Sequence, residues 1–172
     1  MRTVVVVILI LIVVRFVYSA LPAAKPVSPF SIVISCPIPA FHTATPLIVR
    51  VKVTNISAAD AFYCDTNPIR QFRIYATDES GNSTPLTDFG RSLYEDQSDS
   101  TSAAGVVIQR LKPGQSSEYK LIPNAVYDMS NGLKYRVCVE RDLGSWSHPV
   151  AVSSNVITVE DIGIDSDLLS AW

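Results

Sequence analysis

Two histidines, three cysteines and sixteen acidic side chains are the groups in this 172-residue chain with which chemistry could be done. A nucleophile needs a base within hydrogen-bond reach and a third group to orient that base. His42 stands in Pro39-Ala40-Phe41-His42-Thr43, before an expected strand, and His148 stands in Ser145-Trp146-Ser147-His148-Pro149, before the last one. Serines are plentiful, but none sits in a Gly-x-Ser-x-Gly elbow, so both histidines read as exposed loop residues and no catalytic residue is assigned. Two His and three Cys without close spacing do not make a zinc tetrad. Asp96 with Asp99, and Asp161 with Asp165 and Asp167, offer oxygen ligands for calcium, but neither run has EF-hand spacing, and solvated acidic loops are the commoner case. Neither G-x-x-x-x-G-K nor G-x-G-x-x-G is present, so no cofactor is expected.

The cysteines raise a separate question. Residues 1–20, MRTVVVVILILIVVRFVYSA, carry Arg2, then eleven unbroken apolar residues from Val4 to Val14, then small residues at Ser19 and Ala20. This is the pattern of a secretory signal, and its apolar run is short for a bilayer span. The expectation is export to the periplasm or outside, with an uncleaved membrane anchor as the alternative, Arg15 then snorkelling. Cys36 lies far beyond the signal and in no lipobox. Three cysteines in an exported chain leave at least one unpaired. Cys36 with Cys64 is the favoured disulfide because both fall near strand ends; three separate thiols is the competing reading.

Charge argues against nucleic acid as a partner. Lys and Arg number 14 against 16 acids, for a net charge of −2, with no basic stripe. Four of the acids (Glu160, Asp161, Asp165, Asp167) fall in the final EDIGIDSDLLSAW, which has no Lys or Arg. Residues 161–172 are therefore set apart as an acidic tail, expected to be flexible. Residues 21–29 hold three prolines and read as an extended linker.

Between linker and tail, residues 30–160, the apolar period is two. Phe30, Ile32 and Ile34 share one face; Leu47, Val49, Val51 and Val53 share another, with Arg50 and Lys52 outward. Strands are also expected over 71–77, with Phe72, Ile74 and Ala76 inward, and over 106–111 and 118–122. Two more are expected over 133–140, with Leu133, Tyr135, Val137 and Val139 inward, and over 150–159, with Val152, Val156 and Val159 apolar. Asp78-Glu79-Ser80-Gly81-Asn82 and Lys112-Pro113-Gly114-Gln115 are turns with a mechanism, Gly taking positive φ and Pro a preset one. Residues 88–104 read as a long polar loop. No segment sustains a helical stripe over three turns. The pattern predicts an all-β fold: a two-sheet antiparallel immunoglobulin-like sandwich of about seven strands.

True immunoglobulin domains place Tyr two residues before a buried Cys. Here Val137 follows Tyr135 at that spacing, and Cys138, one residue on, faces the other way. Trp146 and Trp172 are not positioned as a core Trp. The expectation is immunoglobulin-like architecture without the inter-sheet bridge.

The segments FSIVIS (30–35), VKVTNIS (51–57), ATDESGNSTPLTDFGRSL (76–93), LKPGQSSEYKLIPNAVYDMSNGLKYRV (111–137) and SNVITVED (154–161) together resemble a group of uncharacterised exported bacterial proteins, seen especially in acidobacteria. Those chains share the strand order, the D-x-x-G-N hairpin and the L-K-P-G turn. This chain departs from them at Asn131 to Tyr135 and in its three cysteines. The resemblance implies an immunoglobulin-like sandwich and export, and no activity. The sequons at Asn55 and Asn82 then count only as turn-forming Asn. A more distant likeness, by strand pattern and the L-K-P-G turn, is to the intracellular proteinase inhibitors of bacilli.

The resulting expectation is a non-catalytic exported β-sandwich that binds a protein or envelope component, or serves as a structural module there. Membrane contact is expected only if the first segment is retained. The loop carrying Trp146 and His148 is the candidate contact. A secreted proteinase inhibitor, inserting residues 88–104 or the Trp146 loop, is the alternative, and a hydrolase or metal-dependent enzyme is the second.

Overall fold

The computed structural model describes residues 28–43, 45–65, 67–95, 107–130, 133–145 and 148–163. The signal segment, most of the linker, Asp96, Asp99, Trp146 and residues 164–172 lie outside them. Among the described residues no helix is long and apolar enough to cross a membrane.

The chain is mostly β. Its strands are β1 (Phe30–Ser35), β2 (Ala40–Phe41), β3 (Val49–Asn55), β4 (Ala61–Asp65), β5 (Arg73–Asp78), β6 (Val107–Leu111), β7 (Ser116–Leu121), β8 (Lys134–Ser145), β9 (His148–Ser153) and β10 (Ile157–Asp161). Short helices intervene: α1 (Pro68–Gln71), α2 (Asp88–Tyr94) and α3 (Pro123–Val126). One sheet runs β1-β3-β7, a second runs β2-β10-β8-β5 with β9 also on β8, and β4 pairs with β6. All pairs are antiparallel except β2 with β10.

The period-two reading holds where it was strongest. β3 alternates strictly over its first five residues, with Val49, Val51 and Val53 fully buried and Arg50 and Lys52 exposed. Phe30, Ile32 and Ile34 face the same core, as do Phe72, Ile74 and Ala76, and Tyr135, Val137 and Val139. Residues of all three sheets join in one hydrophobic cluster. The Lys112-Pro113-Gly114-Gln115 turn closes with the Gln115 N–H on the Lys112 carbonyl at 2.9 Å, and Gly114 takes φ +75°, the left-handed value a type II turn needs at its third residue.

Several expectations are corrected. The expected strand over 150–159 is two strands, because Ser154 breaks it: its N–H donates to the Val139 carbonyl (2.8 Å) while its Oγ accepts from the Val139 N–H (3.0 Å). β9 and β10 thus pair with successive halves of β8. Leu133, expected inward, precedes β8 and is exposed, and the apolar Val156 lies in the kink and is half exposed. Cys64 falls in β4, a strand the periodicity did not predict, and His148 opens β9 instead of lying in a loop. The first part of the expected 88–104 loop is helix α2: Thr87 caps it by accepting from the Gly90 N–H at 3.0 Å, and Asp88 sits in its first turn.

Strand margins are closed by side chains. Asn155 binds both backbone groups of Ile34 in β1, accepting from its N–H (2.8 Å) and donating to its carbonyl (3.1 Å). On β5, the Ile74 N–H donates to the Tyr94 hydroxyl (2.9 Å) and the Tyr127 hydroxyl donates to the Ile74 carbonyl (2.7 Å). Asn124 treats the entry to β3 alike, accepting from the Leu47 N–H (2.9 Å) and donating to the Thr45 carbonyl (2.7 Å). An edge strand otherwise presents bare backbone donors and acceptors to other chains.

Tyr94 comes from α2 and Tyr127 follows α3, so the two helices must sit close. Gly90 makes this fit: a Cβ there would stand 2.1 Å from the Val126 carbonyl oxygen. Gly90→Ala is expected to destabilise the protein by about 1–3 kcal/mol, the range for overpacking, read as a lower urea midpoint at unchanged slope. Burial, with Tyr94 nearby, pushes the Tyr127 phenol up to about 12. A raised folded pKa favours the protonated form, so this contribution is complete below pH about 10 and is lost between about 10 and 12. Tyr127→Phe is expected to flatten that alkaline loss in a pH series of thermal melts.

Candidate functional site

The strongest electrostatic feature is Arg141. β8 continues the inward positions Tyr135, Val137 and Val139 to a fourth, and there the sequence places a cation where the pattern asks for an apolar residue. Its side chain is only 1% exposed. Nη2 donates to the Gln71 Oε1 (2.5 Å), the Cys64 carbonyl (2.7 Å) and the Asp65 carboxylate (3.2 Å). The guanidinium carbon lies 4.8 Å from the ring centre of Phe72, 4.9 Å from Tyr63 and 5.5 Å from Tyr119. Nη1 is buried and has no hydrogen-bond partner among the described residues, and the three ring faces supply its attraction. Asp65 also accepts from the Tyr119 hydroxyl (2.9 Å), which in turn meets the Tyr63 hydroxyl at 2.7 Å. Burial, reinforced by Tyr63, holds the Tyr119 phenol well above its ordinary value, so it stays a hydroxyl donor at any physiological pH.

Arg141 therefore ties β8 to β4 and α1, elements far apart in sequence. Beside it a polar pocket of about 250 Å³ opens between Arg70, Arg73 and Tyr94, and Glu140 and Asp142 also line it. Three arginines, Arg70, Arg73 and Arg141, and two acids, Glu140 and Asp142, line this pocket, so its lining carries both signs.

A larger groove, about 440 Å³, lies beside β2. Ile38, Phe41, Pro46 and Ile48 give it apolar walls, and His42, Arg50 and Lys120 also line it. His42 is partly buried, and its backbone N–H donates to the Thr45 hydroxyl at 3.2 Å. Thr43 donates its hydroxyl to the Asp161 carboxylate (3.0 Å), placing a buried acid one residue from His42. Asp161, grouped by sequence with the acidic tail, is in fact the last residue of β10.

Trp146 lies outside the described residues, as does the environment of the His148 side chain. His42 sits by the groove and His148 opens β9. All three cysteines are free, and the Cys36–Cys64 pair is not formed. The Cys36 thiol faces the Ile38 carbonyl (3.0 Å), and burial raises it; Cys138, opposite Tyr75, is raised by burial and by Glu140. Among the described residues no three His, Cys, Asp or Glu side chains gather where a metal could bind. Asn55, read from sequence as turn-forming, is fully buried: its side-chain amide donates to the Ala59 and Leu111 carbonyls, both at 2.8 Å. The Arg141 centre was missed by sequence reading; the signal for it was a cation falling on the inward parity of β8.

Arg141→Ala would leave Asp65 partly buried without its cation and three rings without their filling. It is expected to cost about 3–5 kcal/mol, measured by urea denaturation. Lys is expected not to restore it, since an ammonium cannot lie flat between rings.

No protein-family model matches the chain, and no curated protein matches it.

Proposed function

We propose that this chain is an exported immunoglobulin-like β-sandwich that works by binding a protein partner in the cell envelope and not by catalysis. The topology supports the sandwich. The chain leaves the β1-β3-β7 sheet after β1 and crosses to the other sheet, where β2 runs parallel beside the last strand, β10. The two sheets contribute facing residues to one core, as in layered β domains.

The observation that carries the binding reading is the outward face of β4–β6. Phe62 is 53% exposed and Ile108 67% exposed, on neighbouring diagonal positions of the same face. The Asp60–Arg110 ion pair borders them, so an apolar centre has a charged rim, the anatomy of a contact surface. Moreover, side chains bond the backbone of the edge strands β1 and β5, whereas on β6 the Asn55 amide reaches only the Leu111 carbonyl at its end, and no other group outside the pair bonds the backbone of Val107 to Arg110 among the described residues. A partner strand added there would gain main-chain bonds and cover Ile108. The proteinase-inhibitor reading has less support for residues 88–104, the first of its two insertion loops, because Asp88–Tyr94 is helix α2, docked on α3.

The test is photo-crosslinking from position 108 in envelope extract, with the same probe at Glu79 as control. A discrete adduct is expected at 108, competed by excess unlabelled protein and lost when Phe62→Lys is added. An identical adduct pattern from Glu79, or one indifferent to Phe62→Lys, would refute the assignment.

A further inference from the structure

The groove beside β2 holds an unresolved charge problem. Arg50 and Lys120 are directly opposite each other across β3 and β7, both exposed. Like charges in that relation repel and destabilise a sheet. The next outward pair, Lys52 with Glu118, is complementary, so the repulsion is local to the groove end. Neither Arg50 nor Lys120 forms an ion pair with a described residue. The adjoining walls are apolar, and Ile38 is 72% exposed and Ile48 47% exposed. A matching occupant must bring acids and apolar side chains together.

The chain delivers such a segment to this place. Beyond β10, the Ile162 N–H donates to the Phe41 carbonyl (2.9 Å) and the Thr43 N–H donates to the Gly163 carbonyl (3.1 Å). The backbone is thereby held against residues 41–43, on the groove's rim. The Asp161 carboxylate accepts from the Gly163 N–H (3.1 Å), and Gly163 takes φ +81°, a left-handed turn that ends the strand. The following residues, 164–172, read IDSDLLSAW: Ile164, Leu168, Leu169 and Trp172 with Asp165 and Asp167, and no basic residue. Nine residues can reach up to about 30 Å when extended, ample for a groove that begins at their point of departure. The linker is a poorer candidate: it enters at the opposite end of β1 and carries Lys25, of the wrong sign.

We propose that residues 164–172 occupy this groove in the same molecule, Asp165 and Asp167 neutralising Arg50 and Lys120 while Leu168, Leu169 and Trp172 cover its apolar walls. The proposal is independent of the partner surface on β4–β6.

In purified protein carrying Trp146→Phe, Trp172 is the sole indole. Its acrylamide quenching constant is expected to be at least threefold below that of a free indole, with a blue-shifted emission. Arg50→Glu with Lys120→Glu, both on an exposed face, is expected to raise it to the free value. Asp165→Lys with Asp167→Lys should do the same alone, and combining the four should restore protection. Backbone ¹⁵N heteronuclear NOEs at Leu168 and Leu169 should fall with release, giving a reading independent of the tryptophan. Free-indole quenching that neither charge reversal changes would overturn the proposal. So would protection that appears only with rising protein concentration and a doubled mass, which would put a second copy's segment in the groove.

Discussion

Every backbone N–H and C=O at the margin of a buried sheet has to find a partner, and in this protein side chains from distant parts of the sequence supply many of them. Asn155 acts on Ile34 as a neighbouring strand would, with one donor and one acceptor on a single amide. Tyr94 and Tyr127 divide the same task at Ile74, and Asn124 performs it at the entry to β3. Leaving such a group buried and unbonded costs about 1–3 kcal/mol each. These few residues therefore decide which strands stay as edges and where the helices must dock. The close approach of α2 to α3 across Gly90 follows from that requirement.

The buried guanidinium of Arg141 obeys the same logic with a charge in place of a dipole. A cation removed from water needs a carboxylate, carbonyls and polarisable faces at once. Asp65, Cys64 and Gln71 provide the first two, and Phe72, Tyr63 and Tyr119 provide the third. Those partners come from β4, α1 and β7, so the centre links elements of different sheets beside the core they share. Through these contacts the guanidinium fastens β8 to β4 and α1.

Surface chemistry divides between two places. The β4–β6 face presents apolar side chains within a charged rim, suited to a partner. The groove beside β2 presents a like-charged pair over apolar walls, at the point where β10 hands the chain onward.

The alternation of β-branched and aromatic residues was enough to place β1, β3, β5 and the first half of β8 and their inward faces, because a half-buried pleat leaves a period of two in the sequence. The Lys112-Pro113-Gly114-Gln115 turn was equally legible, since Pro and Gly announce their φ values. Local pattern does not report who stands beside a strand. It missed the break at Ser154, which exists only because Val139 lies opposite, and it missed helix α2, whose Thr87 cap and Gly90 packing depend on α3. Of the candidate site, the sequence showed the acids of 164–172 and the outward Arg50, but not that Lys120 faces Arg50. That pairing, like the enclosure of Arg141, is a matter of strand register and layer stacking, which tertiary structure alone decides because the contacts join residues some seventy positions apart.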